Sequence, residues 1–340
     1  MSDVASSPTA RVETHTLAEL ALVIRSGLIE SRHFGHLLAL QADGSTALEL
    51  GDPDAEIFPR STVKPLQALA CMRAGAQLRD EQLAITCGSH TGQQRHTKLT
   101  AEMLASVGLD EHALQCPVDF PEDPEARREA ISTGRGEARI TMNCSGKHAG
   151  MLVAAARAGW PVDTYLSPEH PLQQLTRQAM EDLTGVPVGH VGVDGCGAPL
   201  FSTSVRGIAH AFRALALAEP GTNEHAVAQA MRQYPQFVGG DHHANTDAML
   251  LIEGAISKGG AEGVIGVADA EGRSVSMKII DGSPRATTLI ALRVLEALGT
   301  DTSRAQRLTH IDVLGAGKPV GEIVPGADLH QWIDRAQVTA

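Results

Sequence analysis

No stretch of this chain is long and apolar enough to span a bilayer, so the sequence argues against a membrane protein. It also lacks any cluster of Lys and Arg. With 28 basic against 40 acidic residues and a net charge of -12, it offers no surface for neutralising phosphates, which argues against a nucleic-acid partner. Met1 to Pro8 is polar, contains Asp3 and has no basic residue, so it lacks the charged head and apolar core of a secretory leader. Disulfides are not expected. The five cysteines, Cys71, Cys87, Cys116, Cys144 and Cys196, cannot all pair within one chain, and a domain this size needs none. A cytoplasmic protein with reduced thiols is the expectation. No internal repeat and no linker is visible, the proline- and acid-rich Pro117 to Pro124 being only a brief break.

What the chain does have is apolar bulk. Its 340 residues are 43% hydrophobic, enough for a large core, and without a linker one compact unit is favoured. The expected organisation is a flexible tail over residues 1–10 and a single domain over 11–340. Val23 to Leu50 reads as strands separated by Ser26-Gly27 and Asp43-Gly44, the second a hairpin signal after the apolar Leu37-Leu38-Ala39-Leu40. Helical spacing follows over Leu66 to Ala74, Thr97 to Val107, Ala149 to Ala158, Pro168 to Leu183, Val205 to Leu217 and Ala244 to Ser257. Ser167-Pro168 has the form of a helix start, Ser as cap and Pro at the first helical position. Val264 to Ala268 and Ser274 to Ile280 read as a hairpin, Ala286 to Leu298 as a helix laid on it, and Val320 to Ile323 as a closing strand. This order predicts an α+β fold: an antiparallel sheet subdomain from about residues 11–60 and 260–340, and a helical subdomain over about 61–259.

Reactive side chains sit among small residues in four places. In Arg60-Ser61-Thr62-Val63-Lys64-Pro65, a helix starting at Ser61 would put Lys64 one turn on, rising about 4.5 Å on the same side. Pro65 supports that start, because proline is tolerated only where few backbone donors are committed. A serine hydroxyl becomes a good nucleophile when a base takes its proton, and a neutral lysine can serve. Neutralising Lys64 means lowering its pKa by about three units, on the order of 4 kcal/mol, by burial or a neighbouring cation. Ser-x-x-Lys by itself arises roughly once by chance in a chain this long. Ser89, in Gly88-Ser89-His90-Thr91-Gly92, is either an exposed hydroxyl or part of a plain turn. Lys278, before Asp281-Gly282, is either outward on an alternating strand or inward beside the site. The order Ser-x-x-Lys, serine, late-strand lysine is that of penicillin-recognising serine hydrolases.

A second group of residues suggests a soft metal. Asn143-Cys144-Ser145-Gly146-Lys147-His148-Ala149-Gly150 and Val193-Asp194-Gly195-Cys196-Gly197 supply two thiols, but Cys-x-x-Lys is not a standard zinc spacing, and His148 or Asp194 could replace the lysine. Gly146-Lys147 as a phosphate loop lacks the earlier glycine of that pattern. Asp241-His242-His243 with Asp247 reads as a helix start with charged flanks rather than a metal cluster. Cys71, Cys87 and Cys116 read as small buried residues.

Taken together, the segments at 60–68, 89–92, 143–151, 193–197 and 278–283 resemble the L-asparaginase II family, the rhizobial or class 3 type. Arg25 to Ser31 and Val320 to Ile323 are also similar to it, so the likeness covers nearly the whole chain. The resemblance implies a fold similar to serine β-lactamases and glutaminases, and hydrolysis of L-asparagine to L-aspartate and ammonia. It further implies two Ser-Lys pairs, Ser61 with Lys64 and Ser89 with Lys278. A zinc ion on Cys144, Lys147 and Cys196 is implied as well, with substrate contacts from Arg60, His90, His148 and Asp194 and a homodimeric assembly. Asp194 is the natural anchor for the substrate ammonium. Around Gly239 to Asp247 the chain departs from the family pattern, which leaves the width of the pocket and its tolerance of glutamine open. Two other readings stand beside this one: another serine amidohydrolase, acting on glutamine or a β-lactam, and a non-catalytic zinc-binding regulatory protein on the same scaffold.

Overall fold

The computed structural model describes residues 16–339, so the expected tail over 1–10 lies outside the described residues. Ten strands are described: β1 (Ala18–Arg25), β2 (Leu28–Leu40), β3 (Thr46–Leu50), β4 (Val191–Val193), β5 (Pro199–Phe201), β6 (Ile256–Gly260), β7 (Val264–Ala268), β8 (Ser274–Ile279), β9 (Ile311–Gly315) and β10 (Lys318–Pro325). Eight of them form one sheet in the order β6-β7-β8-β2-β1-β10-β9, with β3 pairing beside β2, while β4 and β5 form a separate hairpin. Every pairing is antiparallel. The sheet is thus built from both ends of the chain with a helical segment between, the α+β arrangement that the order of sequence patterns predicts.

The sheet is buried on both faces, and the strand period explains how. Along β2, Leu38 and Leu40 point into the core shared with the long helical segment, whereas Leu37 and Ala39 point into a second core under the helices Thr287–Ala297 and Ala327–Thr339. A continuous apolar run results, each fully buried leucine contributing roughly 1.5–3 kcal/mol. On β8 the same alternation sends Val275, Met277 and Ile279 to the second core and leaves Lys278 on the opposite face.

Several helix boundaries differ from the sequence reading, among them the start of the helix Ser145–Arg157, expected at Ala149, and two have evident local causes. The helix expected from Pro168 begins at Pro171, because His170 caps it, its Nδ1 accepting from the Leu172 N–H at 3.1 Å. The helix expected over Ala244 to Ser257 stops at Leu251. Gly254 then adopts φ +67, a left-handed conformation that turns the chain, and Ile256 to Gly260 continues as an edge strand of the sheet. No described helix is long and apolar enough to cross a membrane.

Candidate active site

Close backbone packing brings the reactive segments together. The helix Ser145–Arg157 lies so tightly on the helix Asp80–Thr86 that a Cβ at Gly146 would come within 2.5 Å of Ile85, and one at Gly150 within 2.5 Å of Thr86. The glycines four apart in the 143–150 segment therefore serve packing. The chain leaves Asp80–Thr86 through Gly88 and Ser89, which are pinned by Ser89 N–H donating to Val238 O (2.8 Å) and His90 N–H to Asn143 O (3.0 Å). Cys144, at the start of Ser145–Arg157, consequently sits beside Ser89.

Three lysines, Lys64, Lys147 and Lys258, are at most 1% exposed. Such burial is rare for lysine and demands partners for each amine. Lys64 Nζ meets Gly88 O at 2.7 Å, Ser89 Oγ at 2.8 Å and Cys144 Sγ at 3.1 Å. Lys258 Nζ reaches the same Ser89 Oγ at 3.1 Å and Gly259 O at 2.5 Å. The Ser89 hydroxyl thus lies between two amines. Burial, reinforced by the positive charge of Lys64, pushes Lys258 down to about 7.

Neither expected Ser-Lys contact is made as drawn from the sequence. Lys64 extends past Ser61, whose hydroxyl is half-buried and not among the partners of the amine, because Gly88, Ser89 and Cys144 already satisfy its three donors. What Ser61 and Lys64 share is backbone: residues 60–63 form a tight 3₁₀ turn in which Lys64 N–H donates to Ser61 O. Lys278 does not touch Ser89. Its amine donates to Glu262 O (2.5 Å) and Ile279 O (2.6 Å), and it lines an open cleft of ≈ 480 Å³ with Arg60, Phe58, Val193 and Glu262. The register explains the difference. Lys258 is level with Gly266 and Ser276, whereas Lys278 is level with Val264, two strands across and two residues along, roughly 12 Å away between Cα atoms.

Sequence reasoning missed Lys258 because its strand was read as the end of a helix. The usable signal was Gly254 followed by Ile256-Ser257-Lys258-Gly259-Gly260, a lysine before glycine like the one at Lys278.

The remaining candidates divide into two groups. Arg60 and Asp194 pair across the site mouth, Arg60 Nε donating to Asp194 Oδ1 at 2.7 Å, and Arg60 holds a left-handed φ of +52. Asp194 sits in the β4–β5 turn with Cys196, so this pair ties that turn to the Ser61 segment. His90 and His148, expected as substrate contacts, are wholly buried. His90 Nδ1 accepts from Gly92 N–H at 3.1 Å and Nε2 donates to Ser145 Oγ at 3.0 Å, so it braces two loops. It stacks on His96, ring centroids 4.9 Å apart.

Burial holds His90 well below its ordinary range and lowers His96 to about 4. In the unfolded chain both take a proton near 6.5, so the stability each contributes is complete above that pH and is lost as pH falls toward its folded value, about 4 for His96. For His96 this amounts to about 3 kcal/mol. Urea melts from pH 7 to pH 4 should show this loss, and His96→Gln should flatten it; an unchanged slope would contradict the assignment.

Cys71, Cys87 and Cys116 are buried, and burial pushes Cys71 up to about 12 and Cys116 to about 11, as for inert core thiols. All five cysteines are free. Asp241 to Asp247 starts a helix, with His243 Nδ1 accepting from Asn245 N–H and Asp247 paired to Arg307 at 3.0 Å. Among the described residues no group of three or more His, Cys, Asp or Glu is placed to hold a metal.

The other donor set is different in kind. Lys147 Nζ lies 2.9 Å from Cys196 Sγ, Cys144 Sγ donates to Asn143 Oδ1 at 3.0 Å, and Cys196 Sγ points to Asp194 Oδ2 at 3.6 Å. The interaction between the two thiols, with help from Lys147, holds Cys196 far below the ordinary thiol range, and the same interaction with burial raises Cys144. Two converging soft sulfurs, an amine beside them and a buried His148 Nε2 without a hydrogen-bond partner fit a soft cation such as zinc.

The family model for L-asparaginase II matches residues 21–325. The chain belongs to the L-asparaginase II family. That membership makes it an amidohydrolase. No curated protein matches the chain. Among solved structures, a β-lactamase from Mycobacterium bovis aligns with 13% identity over 81% of this chain and 95% of that one, at a TM-score of 0.40. A Bacillus glutaminase aligns with 12% identity over 77% and 90%, at a TM-score of 0.36. Scores this low say nothing about the site.

Proposed function

We propose that this L-asparaginase II family member hydrolyses the side-chain amide of L-asparagine, with Ser89 as nucleophile and Lys258 as its base. The observation that carries the reading is the Ser89 hydroxyl held between Lys64 and Lys258, the second amine lowered to about 7. A base poised there is neutral in a large fraction near pH 7 and still acidic enough, once protonated, to return its proton. Ser89 Oγ attacks the carboxamide carbon while its proton passes to Lys258 Nζ. The tetrahedral intermediate collapses as that proton moves to the nitrogen, which leaves as ammonia. Water then cleaves the aspartyl ester and restores Ser89. Lys64 Nζ, 2.8 Å from Ser89 Oγ, holds the hydroxyl in place from the other side.

Arg60 and Asp194 have the charges to take a zwitterion, Arg60 facing the α-carboxylate and Asp194 the α-ammonium. Zinc, held by Cys144, Lys147 and Cys196, would supply positive charge to polarise the amide or orient the substrate. Lys147 would bind as the neutral amine, a change from its ion-paired state beside Cys196. The reading includes a homodimer in the cytoplasm. Its supports are the exposed apolar Phe58, Val191, Val193 and Ile280 around the Arg60 cleft and the five reduced thiols.

A second reading rests on Arg60. A non-glycine residue at φ +52 next to Ser61 is a strained turn of the kind that presents nucleophiles, and it keeps Ser61 in the attacking role first expected from the sequence. One experiment separates the readings and tests the activity. Ammonia release is measured with asparagine and glutamine, and the acyl-enzyme formed with a slow asparagine analogue is mapped by peptide mass spectrometry. We expect release from asparagine and an adduct on Ser89. An adduct on Ser61 transfers the role, and no release from asparagine ends the proposal.

A further inference from the structure

Asn245 is 3% exposed and sits in the first turn of the helix Ala244–Leu251, where its own N–H donates to His243 Nδ1 at 3.2 Å. Its side chain reaches the edge strand β6. Asn245 Oδ1 accepts the Gly259 N–H at 2.8 Å, and because a peptide N–H can only donate, that bond fixes which way round the amide lies. The Nδ2 group is left buried, with no hydrogen-bond partner among the described residues. An unpaired donor in a packed interior is costly. Gly259 links this residue to the reaction. β6 ends the sheet, and Gly259 gives its N–H to Asn245 rather than to Ile265 opposite, so its N–H and C=O both face the free edge of the antiparallel ladder. On that edge Gly259 O accepts from Lys258 Nζ at 2.5 Å, and the same amine lies 3.1 Å from Ser89 Oγ. One glycine therefore carries Asn245 on its N–H and the Lys258 amine on its carbonyl.

We propose that Asn245 is a positioning residue for the base: it fixes the Gly259 edge on which the Lys258 amine is held against Ser89, and it does so as an uncharged acceptor. An aspartate could take the same N–H and would leave no orphaned donor. It would also set a negative charge beside an amine that must be free of its extra proton to accept one from Ser89, and a nearby opposite charge favours the protonated amine. Asparagine supplies the acceptor without that charge. The unpaired Nδ2 is the consequence of this choice. Helix and strand are joined through the left-handed turn at Gly254, so the bond between Asn245 and Gly259 spans only 14 residues and ties the two elements locally.

The proposal rests on Lys258 as the base, and the test keeps the two apart. For the full chain and for Asn245→Leu, Asn245→Asp and Lys258→Met, kcat and KM for asparagine are measured by ammonia release across the pH limb of the base, with thermal melting to check the fold. Asn245→Leu, which fills the space but cannot take the N–H, should lose roughly ten- to hundredfold in kcat with KM within about threefold, the effect of a small misplacement of a reacting group. Asn245→Asp keeps the acceptor, so its kcat above the limb should stay within about threefold of wild type, while the limb moves to higher pH by about one unit or more. The other ionisable groups around the amine, Lys64, Cys87, Cys144, Glu122, His243 and Asp247, are the same in both variants. If Lys258→Met turns over like wild type, the base assignment falls and this proposal with it. If Lys258→Met is impaired but Asn245→Leu keeps its kcat, or the Asn245→Asp limb stays in place, the positioning role alone is overturned. A rise in KM with kcat and limb unmoved would give Nδ2 to the substrate and overturns it too. If Asn245→Leu melts far below wild type, the limb of Asn245→Asp decides the matter.

Discussion

Ser89→Ala is expected to lower kcat for asparagine by roughly 10³-fold or more, with KM changed far less, because the hydroxyl removed is the one both buried amines address. The physical case is the pairing itself. A hydroxyl 2.8 Å from one amine and 3.1 Å from another can give its proton to one while feeling the charge of the other. Alanine leaves the shape of the site nearly intact, and Lys64 keeps Gly88 O and Cys144 Sγ as partners, so the fold should survive. Circular dichroism and thermal melting would verify that. Turnover by Ser89→Ala within tenfold of wild type would remove Ser89 from the chemistry.

The second large effect separates the two lysines. Lys258→Met should cost roughly 10²–10⁴-fold in kcat, the usual worth of a positioned base, whereas Lys278→Met should leave kcat within about threefold. Lys278 is tied to two carbonyls in the Arg60 cleft, and its effect, if any, belongs in KM. The pH profile carries the same assignment. A base with a pKa of about 7 is protonated and inactive below that value, so kcat should fall as pH drops through 7 and level off above it. Stability should move the other way. The unfolded chain holds this lysine near 10.4, so burying it at about 7 costs on the order of several kcal/mol at neutral pH, and an apolar methionine escapes that cost. A variant that melts higher and turns over far less marks a functional group, not a structural one. Equal loss in Lys258→Met and Lys278→Met, or a flat profile across pH 7, would sink the assignment.

Much of this was legible in the residues. The Leu37–Leu40 run and the turns at Ser26-Gly27 and Asp43-Gly44 announced the opening hairpins, and the reactive segments at 60–65, 88–92, 143–150 and 193–197 converge in the fold. The pairings within that convergence were not legible. Ser61 and Lys64 are neighbours in sequence, and local geometry predicts their contact. The amine instead follows the acceptors that burial supplies, Gly88 O, Ser89 Oγ and Cys144 Sγ, from elements up to 80 residues away. Lys258 was hidden because Met249 to Ile256 keeps an apolar spacing compatible with a helix, and only the left-handed Gly254 breaks it.

By itself the sequence determined which segments carry chemistry, since glycine-flanked Ser, Lys and Cys side chains are an expensive way to build a mere core. It also determined the α+β order, because strand and helix periods are local properties of the chain. Tertiary structure alone decided which lysine meets which hydroxyl and which lysine meets which sulfur. Those choices are set by strand register, by the close approach of helices at Gly146 and Gly150, and by the need of each buried amine for three partners. None of those constraints acts between residues adjacent in the chain.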